Sequence, residues 1–239
     1  LAHRFGVLRR ASQFAFLFLF LSGPLFGVWI TKGTMASSMT LNVLPLTDPF
    51  VLAQTLAARH WPEMTALTGA LIVALAYWLL GGRTFCAWAC PLNPVTDFAA
   101  YLRRRFDLKT SAKLRPELRN WIAVAALAVG AVTGVVAWEL VNPITALHRA
   151  LVFGLPFGLI PAAAIFLFDL FVAKHGWCGH LCPVGACYGA IGKAGVLRVS
   201  ADQRSACDDC MDCFAVCPEP QVIAPALRGG RTGASPLIL

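Results

Sequence analysis

Charge is what this sequence has least of. Of its 239 residues only 13% are Asp, Glu, Lys or Arg, while 58% are hydrophobic. Soluble domains run near a quarter charged, so the composition argues for a chain that meets a bilayer. Acidic residues are the scarcer kind, 12 against 20 Lys and Arg, for a formal charge of +8. The sequence also lacks a Gly-rich phosphate loop and a nucleophile triad, so neither nucleotide-driven nor acyl-transfer chemistry has a foothold.

What is present in their place is apolar sequence in four long stretches, at 11–31, 66–82, 121–140 and 150–173. Each approaches the ~17–25 residues that cross a hydrocarbon core, and together they predict four transmembrane helices. The first follows Arg9 and Arg10 as a signal peptide would, but it is long and has no small-x-small cleavage site before Lys32, so it reads as a retained helix. Seventeen of the twenty Lys and Arg lie in the N-terminal tail, the second connecting loop or the C-terminal tail. The positive-inside rule then puts both termini and that loop in the cytoplasm of a bacterial inner-membrane protein. Anionic lipid beside those loops accounts for the net charge, and no nucleic-acid partner is needed. The expected fold is therefore an all-α membrane protein with a four-helix transmembrane domain over 1–195. A small bacterial-ferredoxin-like domain, truncated at its C-terminus, is expected over 196–239.

All nine cysteines fall on the expected cytoplasmic side, where clustered thiols more often bind metal than form disulfides. Cys207, Cys210, Cys213 and Cys217 spell C-x2-C-x2-C-x3-C-P, a ferredoxin run. Zinc also takes C-x2-C pairs, but from two separated pairs, so the even spacing points to a [4Fe–4S] cluster. In two-cluster ferredoxins the fourth cysteine of such a run serves the other cube. With one run only, Cys217 would serve a second cluster and the fourth ligand of the first would come from past Leu239; otherwise all four close on one cube, or a partner supplies a ligand.

The sequence repeats itself once. TFCAWACPLNPV follows the second apolar stretch and GWCGHLCPVGAC the fourth, each a C-x3-C-P motif. On a helix, positions i and i+4 share a face, so Cys86 with Cys90 and Cys178 with Cys182 can each present two sulfurs. Three readings stand for them: one shared metal site, redox-active dithiols, or inert buried thiols. Cys187 reads as a free buried thiol. Trp88, Trp177 and Tyr188 read as interfacial anchors, and His175 and His180 as solvated. For proton chemistry in the expected outer segments, the candidates are Asp48 in the TDPF turn, Glu139 and His148. TDPF itself predicts a helix capped at Thr47 or Asp48, with Pro49 in its first turn.

The order CAWACP, GWCGHLCPVGACYGAIG, CDDCMDCFAVCPEPQV, with the outer stretch SSMTLNVLPLTDPFVLAQ, resembles the NapH family along essentially the whole chain. These are membrane ferredoxin-type subunits of periplasmic nitrate reductase systems. The resemblance implies a haem-free quinol dehydrogenase with [4Fe–4S] clusters as cofactors and quinol as substrate. It would pass electrons to a periplasmic iron–sulfur partner (NapG-like) and on to the nitrate reductase. Relatives with the same pattern serve metalloenzyme assembly, so an assembly factor that donates electrons is the alternative.

Overall fold

The computed structural model describes residues 2–196 apart from 109, 110, 113 and 116, together with the short strands Arg198–Val199 and Ser235–Pro236. In chain order, helix α1 spans Ala2–Phe26, followed by strands β1 (Thr31–Gly33), β2 (Ser37–Thr40) and β3 (Leu44–Thr47). Next come α2 (Pro49–Ala57), α3 (Met64–Leu80), α4 (Thr84–Trp88) and α5 (Leu92–Arg105). The second half holds α6 (Leu118–Thr133), α7 (Ala137–Val141), α8 (Pro143–Phe153), a 3-10 turn (Pro156–Gly158), α9 (Leu159–Phe171), a π-type turn (Trp177–Leu181) and α10 (Pro183–Lys193). Arg198–Val199 (β4) and Ser235–Pro236 (β5) pair antiparallel.

The three strands make an antiparallel sheet in the order β1-β2-β3, with Lys32 opposite Met39 and Ser38 opposite Leu46. Between β2 and β3, Leu41 and Asn42 both take positive φ (53° and 57°), and the Val43 N–H donates to the Thr40 carbonyl at 3.1 Å. Two positive φ values in succession mark the mirror-image turn whose twist suits a hairpin, and Asn tolerates that conformation well.

The expectation of an all-α chain with four transmembrane helices is corrected on two counts. The sheet is one. The other is length: among the described residues no helix is long and apolar enough to cross a membrane. Each apolar stretch is interrupted. The first ends at Phe26 and gives way to β1, and the second is a helix of 17 residues. In the third, Gly134 turns left-handed (φ 69°) and its N–H donates to the Gly130 carbonyl, ending α6 at Thr133. Gly154 (φ 66°) cuts the fourth in the same way, leaving 13 residues in α9. The two-sided topology is corrected with them, because the expected outer and inner segments touch. Tyr188 of α10 donates to Asp48 at the head of α2 (3.2 Å), and Trp138 of α7 stacks on Trp177 at 6.3 Å. A bilayer core of ~30 Å would hold such pairs apart.

The repeat seen around the cysteine motifs runs through the whole fold. Helices α1, α2, α3 and α5 correspond to α6, α8, α9 and α10. Within each half, α2 packs on α3 and α8 on α9; between halves, α2 packs on α6 and α8 on α1, while α5 lies on α9 and α10 on α3. The caps repeat as well. Asp48 accepts from the Phe50 N–H (2.9 Å) ahead of Pro49, and Asn142 accepts from the Ile144 N–H (3.1 Å) ahead of Pro143. The Asp48 cap is the one the TDPF turn predicts. At the junction of the halves two clusters of buried side chains meet around the motif cysteines. One holds Cys90, Leu92, Ile144, Leu147 and Ile165, the other Phe50, Trp138, Cys182, Val184 and Tyr188.

Candidate metal centre

Each C-x3-C-P motif closes in a wide turn, which in the first half follows the short helix α4. The Cys90 N–H donates to the Phe85 carbonyl and the Cys182 N–H to the Trp177 carbonyl, both at 3.0 Å. In each case the bond joins the second cysteine to the residue before the first. An i→i+5 bond of this kind is a π-type turn, which recurs at functional sites. The proline that follows starts the next helix, since its missing N–H costs nothing there.

Side chains from a distant helix anchor each turn by its outward carbonyls. Arg9 Nε donates to the Ala87 carbonyl at 3.0 Å, Gln13 Nε2 to the same oxygen at 2.7 Å, and Ser12 Oγ to the Trp88 carbonyl at 3.0 Å. Arg9 and Arg10 also reach Asn93 and Asp97 of α5. In the second motif Arg119 Nη1 donates to the Gly179 carbonyl at 3.3 Å. Ala87 and Gly179 both come directly after the first cysteine, so α1 and α6 perform the same task in the two halves. Charge-assisted bonds of this type are about twice as strong as neutral ones.

The two turns converge. Cys86, Cys90, Cys178 and Cys182 line one apolar cavity of about 20 Å3, closed by Phe85, Leu92, Ile144, Trp177 and Val184. All four are free thiols. Burial pushes each of them above the ordinary thiol range, Cys86 to about 12, and at Cys86, Cys90 and Cys178 repulsion from neighbouring sulfurs adds to it. Arg83 opposes that rise at Cys86 and Cys182. Unaided, these thiols stay protonated at neutral pH and make poor nucleophiles.

Four soft sulfur donors on one cavity fit an iron–sulfur cube better than a lone ion. Thiolates around a tetrahedral ion stand close, at metal–sulfur distances near 2.3 Å, and among the described residues no group of three or more His, Cys, Asp or Glu is gathered to hold a metal ion. A cube takes one thiolate at each of four separate irons and so accepts a wider set. The other expected ligands, Cys207, Cys210, Cys213 and Cys217, lie outside the described residues, as does nearly all of the 196–239 domain.

A 4Fe-4S binding domain family matches the chain twice, at 63–109 and 155–200, one match over each motif. Ferredoxin-type protein NapH of Escherichia coli is 52% identical over 95% of this chain and 79% of its own length. The chain belongs to the NapH family of ferredoxin-type proteins. The NapH of Haemophilus influenzae is 50% identical with the same coverage. The methylamine utilization ferredoxin-type protein MauN of Paracoccus denitrificans is 48% identical over all of this chain and 83% of its own. No solved structure matches. Family and domain together make this an iron–sulfur electron-transfer protein.

The remaining candidates in this NapH-family chain separate. Asp48 is buried, and burial raises its carboxyl to about 6 despite the bonds from Phe50 and Tyr188; Glu139 pushes in the same direction. Glu139 itself accepts from the Asn142 amide at 3.1 Å. His148, expected near a surface turn, is 1% exposed, lies edge-on to Phe20 at 4.8 Å, and has no partner for either ring nitrogen among the described residues. The structure thus brings Asp48 into the electrostatic range of Glu139 and leaves His148 against α1. His175, expected in solvent, is 6% exposed, and burial lowers it to about 4.

Sequence reasoning missed the residues that shape the site. Gln54 is 0% exposed and its Oε1 accepts from the Trp138 backbone N–H at 3.1 Å, fixing the tryptophan that stacks on Trp177. Tyr188, read as an interfacial anchor, bonds Asp48 instead. Arg9 and Arg119 had been counted only as markers of orientation. One signal was available: both stand at the N-terminal end of the helix that precedes an apolar-stretch-plus-motif, so the repeat itself paired them.

Proposed function

We propose that this chain oxidises quinol and passes the electrons through [4Fe–4S] clusters to an iron–sulfur partner of the NapG type, toward periplasmic nitrate reductase. The observation that carries the reading is the meeting of all four motif cysteines on one cavity, at the junction of two repeated halves. Cys86, Cys90, Cys178 and Cys182 would hold one cube there, and the Cys207–Cys217 run would serve the rest. A bound cube supplies one-electron acceptance. The chain's own residues supply the enclosure: Phe85, Trp177, Ile144 and Val184 keep water from the sulfurs, and the carbonyl anchors fix both turns.

Quinol oxidation releases two electrons and two protons, so it needs a proton acceptor near a dry site. Asp48 suits that role. It is buried, and Tyr188, six residues past Cys182, donates to it. Its carboxyl, raised to about 6, accepts a proton more readily than an exposed one. The exposed Phe14, Phe18, Leu71 and Leu75 fit contact with the lipid phase from which a quinol is drawn. MauN relatives at 48% identity favour a second reading of the acceptor, a methylamine-oxidising system with the same electron-transfer role.

The test is anaerobic iron and labile-sulfide counting with EPR on the wild type and a Cys86→Ser/Cys178→Ser variant, before and after adding quinol. The expected result is loss of one cube's iron in the variant and reduction by quinol in the wild type. Unchanged iron together with no quinol reduction would defeat the proposal.

A further inference from the structure

Arg83 stands where the two halves meet, and its position gives it a role that the motif pattern does not contain. It lies three residues before Cys86, at the head of α4, and is only 7% exposed. Its guanidinium crosses to the other half and lies over Gly189 of α10, seven residues past Cys182. A β-carbon at Gly189 would stand 3.3 Å from Nη2 and 3.4 Å from Nε, so the missing side chain leaves the space that the guanidinium occupies. The backbone beside it is fixed too, because a side chain at Gly82 would collide with the Tyr188 carbonyl and the Gly192 backbone. A cation contributed by the first motif is thereby held against the helix that follows the second.

The repeat sharpens the point. The residue three positions before Cys178 is His175, which is also buried but which desolvation keeps neutral. At this pair of equivalent positions the first half contributes a permanent charge and the second half contributes none.

We propose that Arg83 sets the reduction potential of the group held by Cys86, Cys90, Cys178 and Cys182. The inference rests on the four-cysteine reading given above. When one electron enters that group its charge falls by one unit, and no bond or proton at Arg83 changes. A guanidinium stays charged throughout. Fixed in a low-dielectric interior, it stabilises the more negative, reduced form and raises the potential.

The experiment is an anaerobic dithionite titration followed by EPR on the full chain as wild type, Arg83→Gln and Arg83→Lys, reading the signal that Cys86→Ser/Cys178→Ser removes. Arg83→Gln is expected to disfavour reduction about tenfold, which is 59 mV for a one-electron couple. Arg83→Lys, which keeps the charge, is expected to titrate with the wild type. Coincident curves for Arg83→Gln and wild type, with iron retained, would overturn the proposal. If Arg83→Gln loses iron, Arg83→Lys decides: iron held at the wild-type potential upholds the charge, while loss there too makes Arg83 a space-filling residue and refutes it. If the cysteine variant keeps all its iron, the four-cysteine reading fails first and this inference falls with it.

Discussion

Replacing Asp48 with Asn would remove one ionisation and little else. The Asp48 Oδ1 accepts from the Phe50 N–H and from the Tyr188 hydroxyl, and an Asn Oδ1 can accept both. Asn is as good an N-cap as Asp, so α2 keeps its start. What changes is the response to pH. Burial raises the carboxyl from 3.8 to about 6 in the folded chain, so folding favours its protonated form. A raised folded value means that the contribution to stability is present in full below about pH 4 and is lost as pH rises through about 6. A shift of about 2 units at 1.36 kcal/mol each makes the whole swing about 3 kcal/mol. Denaturant unfolding of wild type and Asp48→Asn at a series of pH values from 4 to 7.5 reads it directly. The variant's stability minus the wild type's should climb by nearly that amount across the series, leaving Asp48→Asn the more stable at neutral pH. A difference that stays flat from pH 4 to 7.5 would refute the reasoning, and would mean that water reaches Asp48 or that a nearby cation compensates it.

Two further outcomes follow from the packing. Arg119→Ala should cost about 1.5–3 kcal/mol, the worth of a hydrogen bond from a charged donor, and should lower iron retention, measured as iron per chain after gel filtration. Gly82→Ala should be worse than the ~1–3 kcal/mol usual for overpacking, because the new β-carbon meets backbone at Tyr188 and Gly192 that cannot rotate away; the midpoint of thermal unfolding checks it.

Local chemistry was the legible part of this chain. The C-x3-C-P pairs, the Asp48 cap and Pro49 at the start of α2 are set by residues within five positions of one another, and short-range geometry carries them. Helix length was misread for a related reason. Hydropathy averaged over twenty residues passes smoothly over Gly134 and Gly154, yet a single left-handed residue ends a helix whatever its flanks. The hairpin from Ser37 to Thr47 had a visible sign in Asn42, but it sits within an apolar run that looked like connecting sequence. His175 reads as solvated and His148 as part of an outer turn, and nothing nearby in sequence tells that both are buried. The carbonyl anchors join residues 60 to 78 positions apart, beyond the reach of any local pattern.

Those anchors also bear on the order in which the molecule is built. Arg9 grips Ala87 and Arg119 grips Gly179, so each motif is held by a helix of its own half. Neither half needs the other to shape its turn. The cavity, by contrast, draws two sulfurs from each half and exists only after α5 has settled on α9 and α10 on α3. The α3–α10 contact joins residues more than a hundred positions apart, farther than either anchor, and longer loops close later. Thiol accessibility should therefore disappear last during refolding, after helix content has returned. Loading of the cysteines then becomes a late checkpoint, passed only by chains whose two halves have already found each other.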